Sequence, residues 1–462
     1  MKKTNLVKNT LLISLGTIMT KGISFIMIPI FSRWLSTADY GTFDLLTTYV
    51  TMFIPLLSLS TGDGMFRFGV EEKTTKGKAT HITNGLCILI VGLLFVLIGG
   101  FVSALAFKWI YAIPFCLMLT GELINKYLQS FLRAIKRINI YSFCSAISTG
   151  FIFGSVTLFV RVFDMGLTGM IYGYALGYLL GDTAIIIWTR WWEYLNKGYS
   201  WEGIKKLISY SYPLIPNSIS WWIINVSDRT IINLFLGAAS NGIYAIACKI
   251  PNLCSNIFAA FNISWQEAAT EMIDDKERNS YFNQVYNTMY ITLLSLCWGI
   301  LSCNFILFRW VFDLRYYEAR LYVPLLVSSV IFSSLSVFFG GIQISFKQTK
   351  ENGLSTMVGA AVNVLVHLGL IRLIGLHAAV ISTLLSNMVV TWMRQYLLRE
   401  RVQIHIIQNN WLYTGFYIYI MMCAYFSLPL IWEVVNFALS GVMFIFVNRK
   451  YLLKIISKVK KI

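Results

Sequence analysis

The chain has 462 residues, of which 57% are hydrophobic and only 13% are charged, about half of the ~25% charge usual in soluble proteins. Apolar stretches of near-bilayer length recur from end to end, which indicates one integral membrane body. A soluble enzyme, a secreted disulfide scaffold and a disordered tail protein are excluded. The net charge of +17 lies in short clusters between the apolar stretches, a distribution that favours membrane topology over nucleic-acid binding.

Fourteen apolar segments are predicted to be membrane-spanning helices, because backbone polar groups in lipid must bond to one another and an alternating barrel pattern is absent. The first is interpreted as an uncleaved helix, since no small-residue cleavage site follows a short apolar core. The predicted spans are 10–32, 43–60, 82–106, 110–130, 141–161, 166–189, 207–236, 242–262, 284–308, 321–346, 354–373, 376–397, 411–431 and 434–448.

The distribution of the 38 lysines and arginines predicts the orientation. With the N-terminus in the cytoplasm, most of them fall at the N-terminus, in even-numbered loops and in the C-terminal tail, as the positive-inside rule requires. We therefore expect both termini to be cytoplasmic. The basic loops would contact anionic membrane lipids, and no nucleic-acid partner is needed to explain the charge.

Cysteines and histidines give no support for a cofactor or metal. The eight cysteines lie inside apolar stretches and form no C-x-x-C motif, so they are predicted to be free thiols. The four histidines lack the spacing of a metal site. No catalytic residues are predicted either.

A short internal similarity indicates two related halves. The two similar segments are residues 35–46 (LSTADYGTFDLL) and 236–247 (LGAASNGIYAIA), which share identical residues at Leu35/Leu236 and Ala38/Ala239, among others. Each segment bridges two consecutive predicted helices. The copies are six helices apart, so the repeat is parallel, as in transporters built from two bundles around a pathway.

Three parts of the chain resemble polysaccharide biosynthesis flippases. They are the segment KNTLLISLGTIMTKGISFIMIPIFSRWLSTADYGTFDLL, the motif GDGMFRFG and, in the second half, SDRTIINLFLGAASNGIYAIACKIPNL. These flippases are the Wzx-type (O-antigen or capsule) members of the multidrug/oligosaccharidyl-lipid/polysaccharide exporter superfamily. The resemblance implies an all-α polytopic fold with two six-helix lobes around a central cavity and two added C-terminal helices. The corresponding expected division is 1–195, 196–400 and 401–462.

The same resemblance implies the cargo, a polysaccharide repeat unit on undecaprenyl diphosphate. The cargo would move from the inner to the outer leaflet of the bacterial cytoplasmic membrane by alternating access. A polysaccharide polymerase and other export proteins are candidate partners. The alternatives are a flippase for the peptidoglycan precursor lipid II, which is also a lipid diphosphate, and a drug/cation antiporter. A membrane glycosyltransferase or polymerase is disfavoured, because the predicted outside loops are short.

Charged residues within the spans are the candidate site residues, because an ionised group at bilayer depth costs ~2.5–3.5 kcal/mol on insertion scales. Lys21 and Lys249 are predicted to face the cavity and bind the diphosphate; a structural ion pair or snorkelling is the alternative. Glu122 and Lys126 are spaced i,i+4, so they either neutralise each other or contact cargo from the inward face of their helix.

Two further residues are candidates for ion coupling. Asp182 has no basic residue at helical spacing within its span, so it is either a titratable carboxylate or a hydrogen-bond partner of another helix. His367 is either a proton-relay group or a core histidine bonded to a serine or carbonyl.

Two arginines near predicted span ends complete the set. Arg67 follows Asp63 and is predicted to contact the cargo head group at the entry mouth, or to be an ordinary positive-inside residue. Asp228 and Arg229 are adjacent near the outer end of a span, where they would either contact cargo or anchor the helix at the interface.

Overall fold

A computed structural model describes residues 19–106, 108–195, 199–212, 214–405, 410–426 and 429–459. These residues form helices and connecting turns without a strand, which confirms the all-α prediction. The helices are α1 (19–34), α2 (Thr37–Leu57), α3 (Thr61–Glu71), α4 (Thr75–Ala106), α5 (Ala112–Ala134), α6 (Ile138–Thr157), α7 (Gly166–Thr189), α8 (Trp201–Ser211), α9 (Leu214–Glu271), α10 (Arg278–Ser302), α11 (Asn304–Ile306), α12 (Val323–Ser345), α13 (Thr349–Ile374), α14 (His377–Leu398), α15 (Asn410–Phe426) and α16 (Leu430–Val459).

The chain divides into two compact units, Met1–Val226 and Ser227–Ile462. Within the described residues, eight helices are long and apolar enough to cross a membrane, or nine if α2 and α3 form one bent span. The predicted number of fourteen spans and the three-part division remain predictions. All eight cysteines are free, as expected.

In the N-terminal unit, the second predicted span, 43–60, covers most of α2, which meets the following helix α3 at an angle of 53°. Helix α2 begins at Ser36, whose hydroxyl accepts a hydrogen bond from the Asp39 amide at 3.0 Å and caps the first turn. It ends before Leu59 and Ser60, which both adopt left-handed backbone angles (φ 49° and 51°). Since such angles disrupt a right-handed helix, the chain turns there and restarts as α3.

Close packing of α6 against α7 depends on three glycines at four-residue intervals, Gly173, Gly177 and Gly181. A Cβ on Gly173 would lie 2.6 Å from the Cα of Val156, and one on Gly177 would collide with the backbone of Ile152. Small residues at this spacing let two membrane helices approach backbone to backbone. The two helices are therefore fixed to each other over two turns.

The seventh predicted span begins in the wrong place, because residues 207–211 belong to the separate helix α8. This helix buries Ile204 and Leu207 and exposes Lys205, Lys206 and Tyr210. One apolar face and one charged face are typical of a helix that covers a core from its edge, whereas a lipid-spanning helix is apolar all round.

In the C-terminal unit, the long helical segment α9 is broken at Gly237 (φ 84°, ψ 172°). The break occurs within the second copy of the internal similarity, and the equivalent residue of the first copy, Ser36, precedes α2. Farther along α9, Trp265 stacks on Phe338 of α12 at 4.4 Å between ring centroids and donates a hydrogen bond to its carbonyl.

Candidate functional site

The N-terminal unit contains a polar cavity of about 590 Å³, within the ~300–1,000 Å³ range of ligand sites. Helices α2 to α6 and the beginning of α9 enclose it. Its lining residues are Thr51, Ile54, Pro55, Ser58, Ser60, Thr61, Gly62, Asp63, Met65, Gly85, Leu89, Leu123, Lys126, Tyr127, Gln129, Ser130, Arg133, Tyr141 and Ser218.

The bend between α2 and α3 forms one wall of this cavity. The Thr61 hydroxyl donates to the Ser58 carbonyl at 2.6 Å, which fixes the first turn of α3 beside the cavity. Gly62 allows α3 to approach α5, because a Cβ there would meet the Ser130 side chain. The N-terminal end of α3 therefore faces the cavity with the positive partial charge of a helix N-terminus.

Two cations on one face of α5, Lys126 and Arg133, line the same cavity. They are seven residues apart, about two helical turns. Lys126 is exposed between buried neighbours, and the guanidinium of Arg133 lies 3.8 Å from the ring centroid of Phe66. With Asp63 as the acidic lining residue, the lining carries a net positive charge, which suits an anionic ligand.

Glu122 does not neutralise Lys126 by direct contact. Both side chains are described, and no nitrogen–oxygen ion pair within 4.0 Å joins them. The Glu122 carboxylate instead interacts with the Tyr178 hydroxyl of α7 and with Lys126 at longer range. The i,i+4 spacing brings the two residues to neighbouring positions, but only Lys126 lines the cavity.

Asp182 is connected to the cavity through two amide side chains. Its Oδ1 accepts a hydrogen bond from Asn125 Nδ2 at 2.7 Å, and Asn125 Oδ1 accepts one from Gln129 Nε2 at 2.6 Å. Gln129 lines the cavity. The Asp182 carboxylate is 2% exposed, and its Oδ2 has no hydrogen-bond partner among the described residues. The hydrogen bond to another helix, which was one of the two alternatives, is present.

The C-terminal unit contains a second buried polar cluster, centred on Asp228 of α9. Asp228 Oδ1 lies 3.2 Å from His367 Nδ1 of α13, and its Oδ2 accepts hydrogen bonds from the Tyr244 hydroxyl at 3.0 Å and from the Thr383 hydroxyl at 2.8 Å. His367 Nε2 and the nearby Asn363 Oδ1 are buried without a hydrogen-bond partner in the described part of the chain.

This cluster corrects two interpretations of the sequence. Asp228 is 2% exposed and is bound on both oxygens, so it does not anchor the helix at an interface. His367 is a core histidine, but its partner is a carboxylate, not a serine or carbonyl. Both errors have the same origin: the partners come from three helices far apart in sequence.

None of the other candidate cations lines the polar cavity, and Arg229 lies near Tyr244 of the Asp228 cluster. Lys21 is exposed on α1. Arg67 is exposed on α3 and forms an ion pair with Glu71 at 3.2 Å. Lys249 and Arg229 are half-buried on α9, and each has further contacts of its own.

Sequence reasoning missed Arg133 as a site residue, because a basic residue at the end of a span satisfies the positive-inside rule without further explanation. Its position seven residues after Lys126 places both on one helix face, and that spacing could have identified it. No sequence pattern indicated Tyr244 or Thr383, which contact Asp228 only in the folded protein.

Solved structures of the same fold include a flippase and several transporters. A structure titled lipid II flippase MurJ, inward closed conformation, superposes with a TM-score of 0.72 at 12% identity, covering 96% of this chain and 100% of that chain. An inward-facing multidrug resistance MATE family transporter of the MOP superfamily gives 0.64 at 12% identity, with 84% and 94% covered. A MOP superfamily transporter from Pyrococcus furiosus gives 0.56 at 12% identity, with 85% and 95% covered.

The comparison with curated proteins gives no match. The profile of the family described as polysaccharide biosynthesis protein matches residues 6–265, which is more than half of the chain. Its helices have the fold of the membrane flippase and transporters with which it superposes, and this chain belongs to the polysaccharide biosynthesis protein family.

Proposed function

We propose that the protein moves undecaprenyl-diphosphate-linked polysaccharide repeat units from the inner to the outer leaflet of the bacterial cytoplasmic membrane. The observation that supports this most is the polar cavity with Lys126 and Arg133 inside a membrane-embedded unit. A diphosphate needs charge compensation to leave water, and an ammonium and a guanidinium supply it together with charge-assisted hydrogen bonds. Serine and threonine hydroxyls of the lining suit the adjoining sugar.

In the proposed cycle, the two halves alternate between inward and outward access while the lipid chain stays in the bilayer. Lys21 and Lys249 are proposed to contact the diphosphate along its path, and Arg67 and Arg229 to contact the head group as it enters and leaves. Both termini are proposed to be cytoplasmic.

We propose that the movement is coupled to protons through the Asp228–His367 pair. The His367 imidazole lies within hydrogen-bond distance of this buried carboxylate, and histidine is a common proton shuttle in proteins. Asp182 is the second candidate, since Asn125 and Gln129 link it to the polar cavity.

Lipid II is the alternative cargo, because it has the same diphosphate and its flippase shares the fold. Export of organic cations is disfavoured by the cationic lining, since like charges repel in a site of low dielectric. The test is reconstitution in proteoliposomes with a fluorescent polyprenyl-diphosphate oligosaccharide, scored by access of an impermeant quencher.

Leaflet exchange above that of protein-free liposomes is expected for the oligosaccharide cargo. Exchange of lipid II alone would transfer the assignment to the precursor flippase. Uptake of an organic cation without exchange of either lipid would transfer it to the antiporter.

A further inference from the structure

The guanidinium of Arg133, one of the two cations that line the polar cavity, rests on an aromatic ring. Its Cζ lies 3.8 Å from the ring centroid of Phe66 on α3 and 6.0 Å from that of Tyr141 on α6. A guanidinium so close to a ring face lies nearly flat on it, because one standing on edge would push a nitrogen into the ring. Such stacking is attractive through the charge and the planar surface of the guanidinium. Phe66 therefore sets the plane of Arg133.

The hydrogen-bond donors of Arg133 are left unused by this arrangement. Within the described residues, neither a carboxylate nor another acceptor binds its side chain. Other arginines of the protein are held differently: Arg394 donates to four oxygens of its own unit, and Arg67 pairs with Glu71. Because a ring face holds Arg133 in place of acceptors, its N–H groups stay available to a ligand.

The packing of α3 against α5 places the ring over the guanidinium. Gly62, Phe66 and Gly69 are spaced i, i+4 and i+7, so they share one face of α3. A Cβ on Gly62 would meet the Ser130 side chain of α5, and one on Gly69 would lie 2.7 Å from the Ala134 Cβ. The two glycines thus bring α3 close to the turn of α5 that carries the arginine, and the phenylalanine between them reaches its side chain.

A guanidinium that lies flat on a ring directs its N–H groups sideways, in its own plane. That planar fork matches two oxygens of one phosphate group, whereas an ammonium acts on phosphate as a point charge. Arg133 and Lys126 line the same cavity and supply one group of each kind. The pair suits a ligand with two linked phosphates, one held by the fork and the other by the ammonium.

We propose that Phe66 is a positioning residue: it holds the Arg133 fork so that the guanidinium binds one phosphate of the cargo diphosphate through two parallel hydrogen bonds. This inference rests on the proposed function and extends it to a residue that does not itself line the cavity.

The experiment measures the half-saturating concentration and the maximal rate of exchange of a fluorescent polyprenyl-diphosphate oligosaccharide in proteoliposomes. Phe66→Leu removes the ring and keeps an apolar side chain, so it should raise the half-saturating concentration about three- to tenfold, the range expected for loss of a cation–π contact. The maximal rate should stay at the wild-type value. Phe66→Tyr retains the ring and should stay within about twofold of wild type. Wild-type affinity in Phe66→Leu, or equal losses in the two variants, would overturn the proposal.

Phe68→Leu is the matched control. Phe68 is also on α3, and the Lys206 ammonium lies 4.6 Å from its ring centroid, but neither residue lines the polar cavity. This variant should bind cargo as the wild type does. A loss equal to that of Phe66→Leu would trace the effect to α3 in general and overturn the positioning role.

Two variants at Arg133 test whether Phe66 acts through it. Phe66→Leu combined with Arg133→Gln should bind cargo no more weakly than Arg133→Gln alone, and a further loss of the same size would overturn the proposal. Arg133→Lys leaves α3 unaltered and keeps the charge, but an ammonium has no planar fork, so its affinity should be as low as that of Arg133→Gln. Wild-type affinity in Arg133→Lys would equally overturn it.

The two levels of inference fail in different ways. Exchange by the wild-type protein, with the same affinity in wild type and Phe66→Leu, rejects the positioning role and leaves the proposed function in place. Absence of exchange of any lipid diphosphate by the wild-type protein rejects the proposed function and this inference with it.

Discussion

His367 Nδ1 lies 3.2 Å from Asp228 Oδ1, and neither side chain is more than 3% exposed. The acid and the imidazole are therefore both shielded from water. The Tyr244 and Thr383 hydroxyls bind the other carboxylate oxygen, so the imidazole and the two hydroxyls contact different oxygens of Asp228.

Replacing His367 with Gln should remove most of the pH dependence of transport, because an amide can still bond to Asp228 but cannot carry a proton as an imidazole does. The measurement is initial exchange rate against pH in proteoliposomes. His377→Gln is the control, since His377 lies at the beginning of α14 outside the cluster. A wild-type pH profile in His367→Gln would exclude this residue from coupling.

Asp182→Asn tests the other candidate. If Asp182 couples protons, the variant should flatten the pH profile while keeping the hydrogen bond to Asn125, because an amide oxygen also accepts. If Asp182→Asn leaves the pH profile of transport unchanged and only His367→Gln alters it, the coupling role belongs to the C-terminal unit alone. Gln129→Leu, which cuts the link to the cavity, should then also leave the profile as in the wild type.

Lys126→Gln and Arg133→Gln should each lower the apparent affinity for the diphosphate cargo about 10–100-fold, since a hydrogen bond to a charged group contributes about 1.5–3 kcal/mol. Competition by soluble pyrophosphate or by the labelled cargo would measure the change. Lys76→Gln, an exposed lysine at the start of α4 that does not line the cavity, is the matched control. An equal loss in Lys76→Gln would point to general surface charge.

Lys21→Ala is expected to abolish export and leave membrane insertion intact, because we place Lys21 on the path of the diphosphate. Export of surface polysaccharide in a deletion strain and the amount of protein in the membrane fraction are the two readouts. Wild-type export by the variant would remove Lys21 from the path.

Gly177→Leu should lower the free energy of unfolding by about 3 kcal/mol or more, because the new side chain would force the backbones of α6 and α7 apart. Thermal unfolding in detergent measures this. Gly150→Leu, at an exposed α6 position with no atom within 4 Å of a new Cβ, should be close to neutral. Similar midpoints for the two variants would show that the glycine contact does not support the fold.

The sequence predicted the helical class and most helix positions, because apolar stretches of bilayer length have few alternative structures. It also placed a repeat boundary at residues 236–247, where the structure has the Gly237 break. The α2–α3 bend was not predicted: it depends on left-handed angles at Leu59 and Ser60, two residues without a strong preference for them.

The site was less accessible to sequence reasoning for a physical reason. Lys126 was identified, together with Glu122, because charged side chains within an apolar span have a known energetic cost. Which residues surround a charge is a property of packing between distant segments. Asp228 was therefore assigned to an interface, although Tyr244, His367 and Thr383 enclose it.

Every residue that lines the polar cavity belongs to Met1–Val226, whereas Asp228 and its hydrogen-bond partners belong to Ser227–Ile462. Mutations that change recognition of the cargo sugars and mutations that change ion coupling through Asp228 would then accumulate in separate stretches of the gene. Sequence differences that accompany a change of surface sugars between strains should consequently be concentrated in the first half of the coding sequence.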